Sequence, residues 1–139
     1  MTTYNTNLAA EFHVLSMLHR LGADASLTLG NKKAVDIAVV RGAGRSVTID
    51  VKGVAGPHDW PADNINVPEH NRHFVVLVSF EGKIGSSEQI PSVWVIPARE
   101  LLPFVRKYRV RTVVSLAAIR SKGGKYRNGW KRIIGRTGP

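Results

Sequence analysis

The sequence predicts an α/β domain, a central mixed β-sheet flanked by helices. Three observations carry that prediction. Apolar residues near the N-terminus recur at the helical period, and several later segments alternate or run apolar at strand length. A further helical stretch then returns in the C-terminal third, so helices bracket the strands in chain order.

The elements follow in order. Residues 7–21, NLAAEFHVLSMLHRL, read as a helix, with Thr6 or Asn7 as its cap and Gly22 as its stop. A short strand fits 25–29. AVDIAVV (34–40) and SVTIDVK (46–52) read as two strands of a hairpin joined by the glycine-bearing turn RGAGR. Residues 53–73 form a long polar connection containing Pro57, Pro61 and Pro68; in a compact domain such a length is usually functional or mobile. FVVLVSF (74–80) is continuously apolar, as expected of a central strand covered on both faces. VWVI (93–96) is a further strand. A helix starts near Pro97, with Pro103 interrupting or kinking it, and SLAAIR (115–120) makes a helical turn. Tyr126, Trp130 and Ile133 have i, i+4, i+7 spacing, so the tail docks as a short helix that Asn128-Gly129 keeps from extending. No repeat or second domain is visible. Residues 1–121 read as the core, and 122–139 as a basic, glycine-rich tail that is part of the same domain or partly mobile.

Charge narrows the function classes. The 139 residues carry a net charge of +10 and no cysteine, which excludes disulfides and thiolate metal sites. Residues 1–100 hold 9 Lys/Arg and 10 Asp/Glu, whereas 101–139 hold 11 Lys/Arg and no acid. A block of that sign meets a polyanion, and without an amphipathic helical pattern it favours nucleic acid over a membrane. The N-terminus has no signal pattern and no apolar run reaches membrane-spanning length, so a soluble cytoplasmic protein is expected.

Two geometric arguments then bring carboxylates together. At about 100° per residue, Leu8, Phe12, Val14, Leu15, Leu18 and Leu21 define an apolar face, and Glu11 falls close to its mean direction. A carboxylate on a core-facing stripe needs a partner, a metal or a wet cleft. In the hairpin, a turn centred on Ala43 pairs residues whose numbers sum to 86. Val39 then meets Val47, Ile37 meets Ile49 and Val35 meets Val51, which also sets Asp36 against Asp50. Two aspartates directly opposite one another require a compensating cation, either a metal or Lys52 on the same strand face. Two aspartates, a glutamate and a lysine make a hard oxygen site suited to Mg²⁺ or Mn²⁺ and to chemistry at a phosphoryl group.

Glu11, "VD" at 35–36 and "DVK" at 50–52 resemble the E…(P)D…(D/E)xK pattern of the PD-(D/E)xK nuclease superfamily. The layout of residues 7–52 is similar to that of archaeal Holliday junction resolvases and related small restriction-like nucleases. The resemblance implies a restriction-endonuclease-like core of α-β-β-β-α-β type and Mg²⁺-dependent endonuclease activity on DNA, including branched or junction DNA, with RNA not excluded and a homodimer as the acting form. It implies Asp36 and Asp50 as the main metal ligands, with the Val51 carbonyl as a further ligand. Glu11 would complete or support the metal shell, and Lys52 would be the catalytic lysine.

Lys122, Lys125, Arg127, Lys131 and Arg132 are the expected phosphate contacts, with Lys32 and Lys33 extending that surface. Trp60 and Trp130 suit base stacking, though such aromatics more often cover a core edge. His58, His70 and His73 read as solvated loop histidines. The alternative function is a non-catalytic nucleic-acid-binding protein on the same fold.

Overall fold

A computed structural model describes residues 2–28, 36–42, 45–63 and 72–135. The first helix, α1 (Thr3–Arg20), starts four residues earlier than its apolar pattern predicts. The Thr2 hydroxyl caps it by accepting from the Asn5 N–H at 3.1 Å, and Gly22 ends it at φ +83°. Strands β1 (Asp24–Leu27), β2 (Ile37–Val40) and β3 (Ser46–Val54) follow as an antiparallel meander. The two-residue β4 (Trp60–Pro61) leads to β5 (His73–Ser79), which lies parallel to β3, and β6 (Ser92–Pro97) runs antiparallel to β5. The main sheet is therefore mixed, in the order β1-β2-β3-β5-β6.

The expected hairpin register is the one observed. Ile37 pairs with Ile49, Ala38 with Thr48, Val39 with Val47 and Val40 with Ser46, every pair summing to 86. All seven residues of β5 are buried, in agreement with a central strand covered on both faces. One cover is α1. Ala10, Val14 and Leu18 pack on Ile37, Val39, Val47, Ile49 and Val51, and Trp130 and Ile133 close the same cluster. The other cover is a small sheet of order β4-β8-β7, built from β7 (Val105–Lys107) and β8 (Thr112–Val114), together with α2 (Leu116–Lys122).

Four expectations need correction. The helix expected from Pro97 is two single-turn 3₁₀ segments, Ala98–Glu100 and Leu102–Phe104, after which the chain turns extended into β7. Pro103 lacks the N–H that a continuing helix needs, and the buried Leu101 and Phe104 hold the turns onto the sheet. The connection after β3 is not featureless, because Trp60 enters the core and donates its Nε1–H to the Val78 carbonyl at 3.0 Å. No helix lies in that connection among the described residues, where the α-β-β-β-α-β order places one. The apolar face of α1 is also rotated from the leucine stripe: Phe12 is 53% exposed and Leu21 is exposed, whereas Ala10 is fully buried.

That rotation has a steric origin at Gly53. A methyl group built there would stand 2.5 Å from the Ala10 Cβ, so the helix and β3 touch through their two smallest side chains. Close approach selects the Ala10–Val14–Leu18 stripe, since a Phe12 contact would hold the backbones further apart. The tail packs as well. The chain after α2 makes a 3₁₀ turn at Gly124–Tyr126 and the short helix α3 (Lys131–Ile134), with Tyr126, Trp130 and Ile133 all buried. Arg41 fastens it, donating from Nε to the Ile133 carbonyl at 2.7 Å and from Nη2 to the Arg132 carbonyl. No helix among the described residues is long and apolar enough to cross a membrane.

Candidate functional site

The β2–β3 ladder ends at Ile37 and Ile49, and Asp36 takes over where it stops. Its N–H donates to the Ile49 carbonyl at 2.8 Å, and its Oδ2 accepts the Val51 N–H at 2.7 Å. The carboxylate thereby replaces a backbone acceptor at the open end of the hairpin, which fixes it against β3. Burial raises the Asp36 pKa, while the Val51 hydrogen bond and the Lys52 charge act to lower it.

Asp50 follows on β3. Strand alternation places Ile49 and Val51 under α1, and sets Asp50 and Lys52 beside Val75 and Leu77 of β5, on the face covered by the small sheet. Asp50 is only 3% exposed, and its Oδ2 is buried with no hydrogen-bond partner among the described residues. Its pKa is pushed up to about 7, first by burial and then by the charge of Asp36, with Lys52 pulling the other way. A buried carboxylate with an empty acceptor position, a second carboxylate and a lysine beside it has the signature of a functional site.

Glu11 joins this cluster less closely than its sequence position suggests. It is half-buried on the flank of α1, because the helix turns Ala10 to the sheet. Its pKa is raised by burial and by Asp36. Asp50 and the core stripe of α1 lie on opposite faces of the sheet, and Asp36 at the strand end is the group that senses both carboxylates. Among the described residues no three His, Asp or Glu side chains gather as a metal cluster. The donor set that remains, Asp36 and Asp50, suits a hard divalent cation of the Mg²⁺ kind. Such ions are commonly held by one or two carboxylates, with water and substrate phosphate oxygens filling the other positions. Val51 is buried in β3 between the two aspartates in the network, through its N–H bond to Asp36.

The other expected residues divide. Lys32 and Lys33 lie outside the described residues, as does His70. Lys122, Lys125, Arg127 and Lys131 are exposed and Arg132 is half-buried. Three of these cations sit over aromatic rings: Lys125 and Arg132 over Tyr126 at 5.2 and 5.1 Å, and Arg127 over Trp94 at 5.2 Å. They act in part as covers of the core edge. Trp60 and Trp130 are core residues, 0% and 7% exposed, and cannot stack on a base from there. His73 is not a solvated loop histidine but the first residue of β5, buried, with Nδ1 2.6 Å from the Thr48 hydroxyl. Its placement follows from the strand beginning one residue before the apolar run.

Sequence reasoning also missed the β7–β8 ribbon. Four cations, Arg106, Lys107, Arg109 and Arg111, fall within six residues there. The chain alternates cation and apolar or aromatic residue from Lys107 to Arg111, a period-two signal that the prolines nearby obscured. Comparison with protein-family models, with curated proteins and with solved structures finds no match to this chain.

Proposed function

We propose that the chain is a Mg²⁺- or Mn²⁺-dependent nuclease that hydrolyses phosphodiester bonds in DNA, with a restriction-endonuclease-like arrangement of its site. The observation that carries this reading is Asp50: a buried carboxylate whose Oδ2 has no hydrogen-bond partner among the described residues, beside Asp36 and Lys52. Asp36 and Asp50 would hold the cation, with the Val51 carbonyl as a further ligand and Glu11 supporting Asp36 from the helix. When bound, the cation supplies an activated water and stabilises charge on the phosphoryl group. The protein supplies the rest. The Val51 N–H orients the Asp36 carboxylate. Lys52 offsets the like charges of Asp36 and Asp50 before substrate arrives and donates to a phosphate oxygen or to the attacking water when it does.

The test is cleavage of linear, nicked, flapped and four-way DNA, and of RNA, with Mg²⁺ or Mn²⁺, comparing wild type with Asp50→Ala. Metal-dependent cleavage that the substitution abolishes is expected; no cleavage of any substrate by wild type would sink the enzyme reading. A second reading has one observation in its favour, the lack of a third clustered ligand among the described residues. A nucleic-acid-binding protein without catalysis predicts salt-sensitive binding that survives both Asp36→Ala and Lys52→Ala and needs no metal.

A further inference from the structure

An open groove of about 840 Å³ runs between the start of α1 and the β7–β8 ribbon, with Lys52 in its wall. Asn7 lines one side, Tyr108 and Arg111 the other, and His58 borders it. Its size is that of a site for a small molecule or a few linked groups. The ribbon is anchored only at its base. Trp60 and Pro61 pair with Val114 and Val113, and Asp63 Oδ1 accepts the Thr112 N–H at 2.8 Å. Beyond that point the Tyr108 N–H donates to the Arg111 carbonyl at 2.8 Å, closing the turn over Arg109 and Val110.

What this ribbon presents is unusual for a surface hairpin. Tyr108 is 59% and Val110 89% exposed, interleaved with Arg109 and Arg111. Among the described residues no salt bridge engages Lys107, Arg109 or Arg111, whereas Arg106 donates to the Pro103 and Val105 carbonyls. The one acid on the groove wall, Asp59, has Oδ1 occupied by the Leu116 N–H at 2.8 Å. Exposed aromatic rings set among guanidinium groups are what sequence-tolerant binding of single strands uses, with rings for bases and cations for phosphates.

We propose that this groove binds an unpaired nucleic-acid strand, with Tyr108 stacking on a base and Arg109 and Arg111 taking phosphates. The inference deepens the nuclease reading and rests on it only for the strand's destination, the phosphate site beside Lys52. A strand in the groove meets the Tyr108 ring and the Arg111 guanidinium together, because both line the same wall. It selects substrates with a single-stranded portion, such as flaps or open junctions, over blunt duplex.

The experiment is anisotropy of a short labelled oligothymidylate and of a blunt duplex, titrated with the full chain in EDTA so that no cleavage intrudes. Tyr108→Ala is expected to weaken oligothymidylate binding roughly tenfold, with Tyr108→Phe restoring most of it. The double substitution Arg109→Ala/Arg111→Ala is expected to reduce the log–log salt slope by about 1.4, two phosphate contacts' worth. A Lys83→Ala/Arg99→Ala control should bind within about twofold of wild type, and all variants alter exposed side chains, so thermal melts should match. Wild-type affinity in the ribbon variants, an equal loss on duplex, or an equal loss in the Lys83/Arg99 control would overturn the proposal. Failure of the nuclease reading looks different: the ribbon variants lose strand binding while wild type cleaves nothing.

Discussion

Burying a carboxylate next to another carboxylate raises the free energy of its charged form, and Asp50 meets both conditions. Asp36 pushes in the same direction as burial and Lys52 against it. Because the folded-state pKa of about 7 lies above the ordinary aspartate value, the folded protein holds a proton that the unfolded chain has already lost. The stabilising proton is fully present below about pH 4 and is lost as pH rises through about 7, so this group lowers stability between those limits. Asp50→Asn removes the buried charge, and in metal-free buffer at pH 8 it is expected to raise the Tm by about 5 °C while abolishing cleavage. Calorimetry at pH 4 and pH 8 checks the sign, since the gain should nearly vanish at pH 4. Mg²⁺ should follow the same pH dependence, raising the Tm at pH 8 far more than at pH 5, because a carboxylate must lose its proton to become a ligand. Equal shifts at both pH values would show that Asp36 and Asp50 are not the ligands.

At the scale of elements, the α1–β3 contact decides where Glu11 can reach. Gly53→Ala would drive a methyl group into Ala10, and since both atoms belong to packed backbone rather than flexible side-chain ends, a cost of about 1–3 kcal/mol is expected, read as a lower denaturation midpoint. Paired with Ala10→Gly, the same change should recover much of the loss. Arg41 clamps the end of the tail. Arg41→Ala removes two hydrogen bonds to the last turn of α3, and faster tryptic cutting at Lys131 and Arg132 is expected with the core intact. The hairpin was legible in the sequence because alternation and register are local: once Val39 faces Val47, Asp36 must approach Asp50. The burial of α1 was not, because six apolar residues on a helix do not say which of them a glycine in a distant strand will admit.

Across the whole molecule, the uneven charge has been divided between two tasks. The positive C-terminal third contains both the ribbon, whose Arg109 is exposed and whose Arg111 lines the groove, and the tail, whose Arg127 and Arg132 lie over Trp94 and Tyr126. The sequence reading expected a polyanion partner and assigned its contacts to the tail and to Lys32 and Lys33, not to the ribbon. Packing separates the two, since a cation held over an aromatic ring at a core edge is less available to a phosphate than one on a projecting turn.

By itself the sequence determined the mixed α/β class, the strand register with its opposed aspartates, the all-buried central strand and the concentration of positive charge in the last third of the chain. Each of these follows from periodicity or counting along neighbouring residues. Only the tertiary structure decided that Ala10 rather than Phe12 enters the core, that Asp50 lies across the sheet from the helix carrying Glu11, and that a basic ribbon stands beside Lys52. Those outcomes depend on which distant surfaces approach closely enough to exclude water, and no local pattern records that distance.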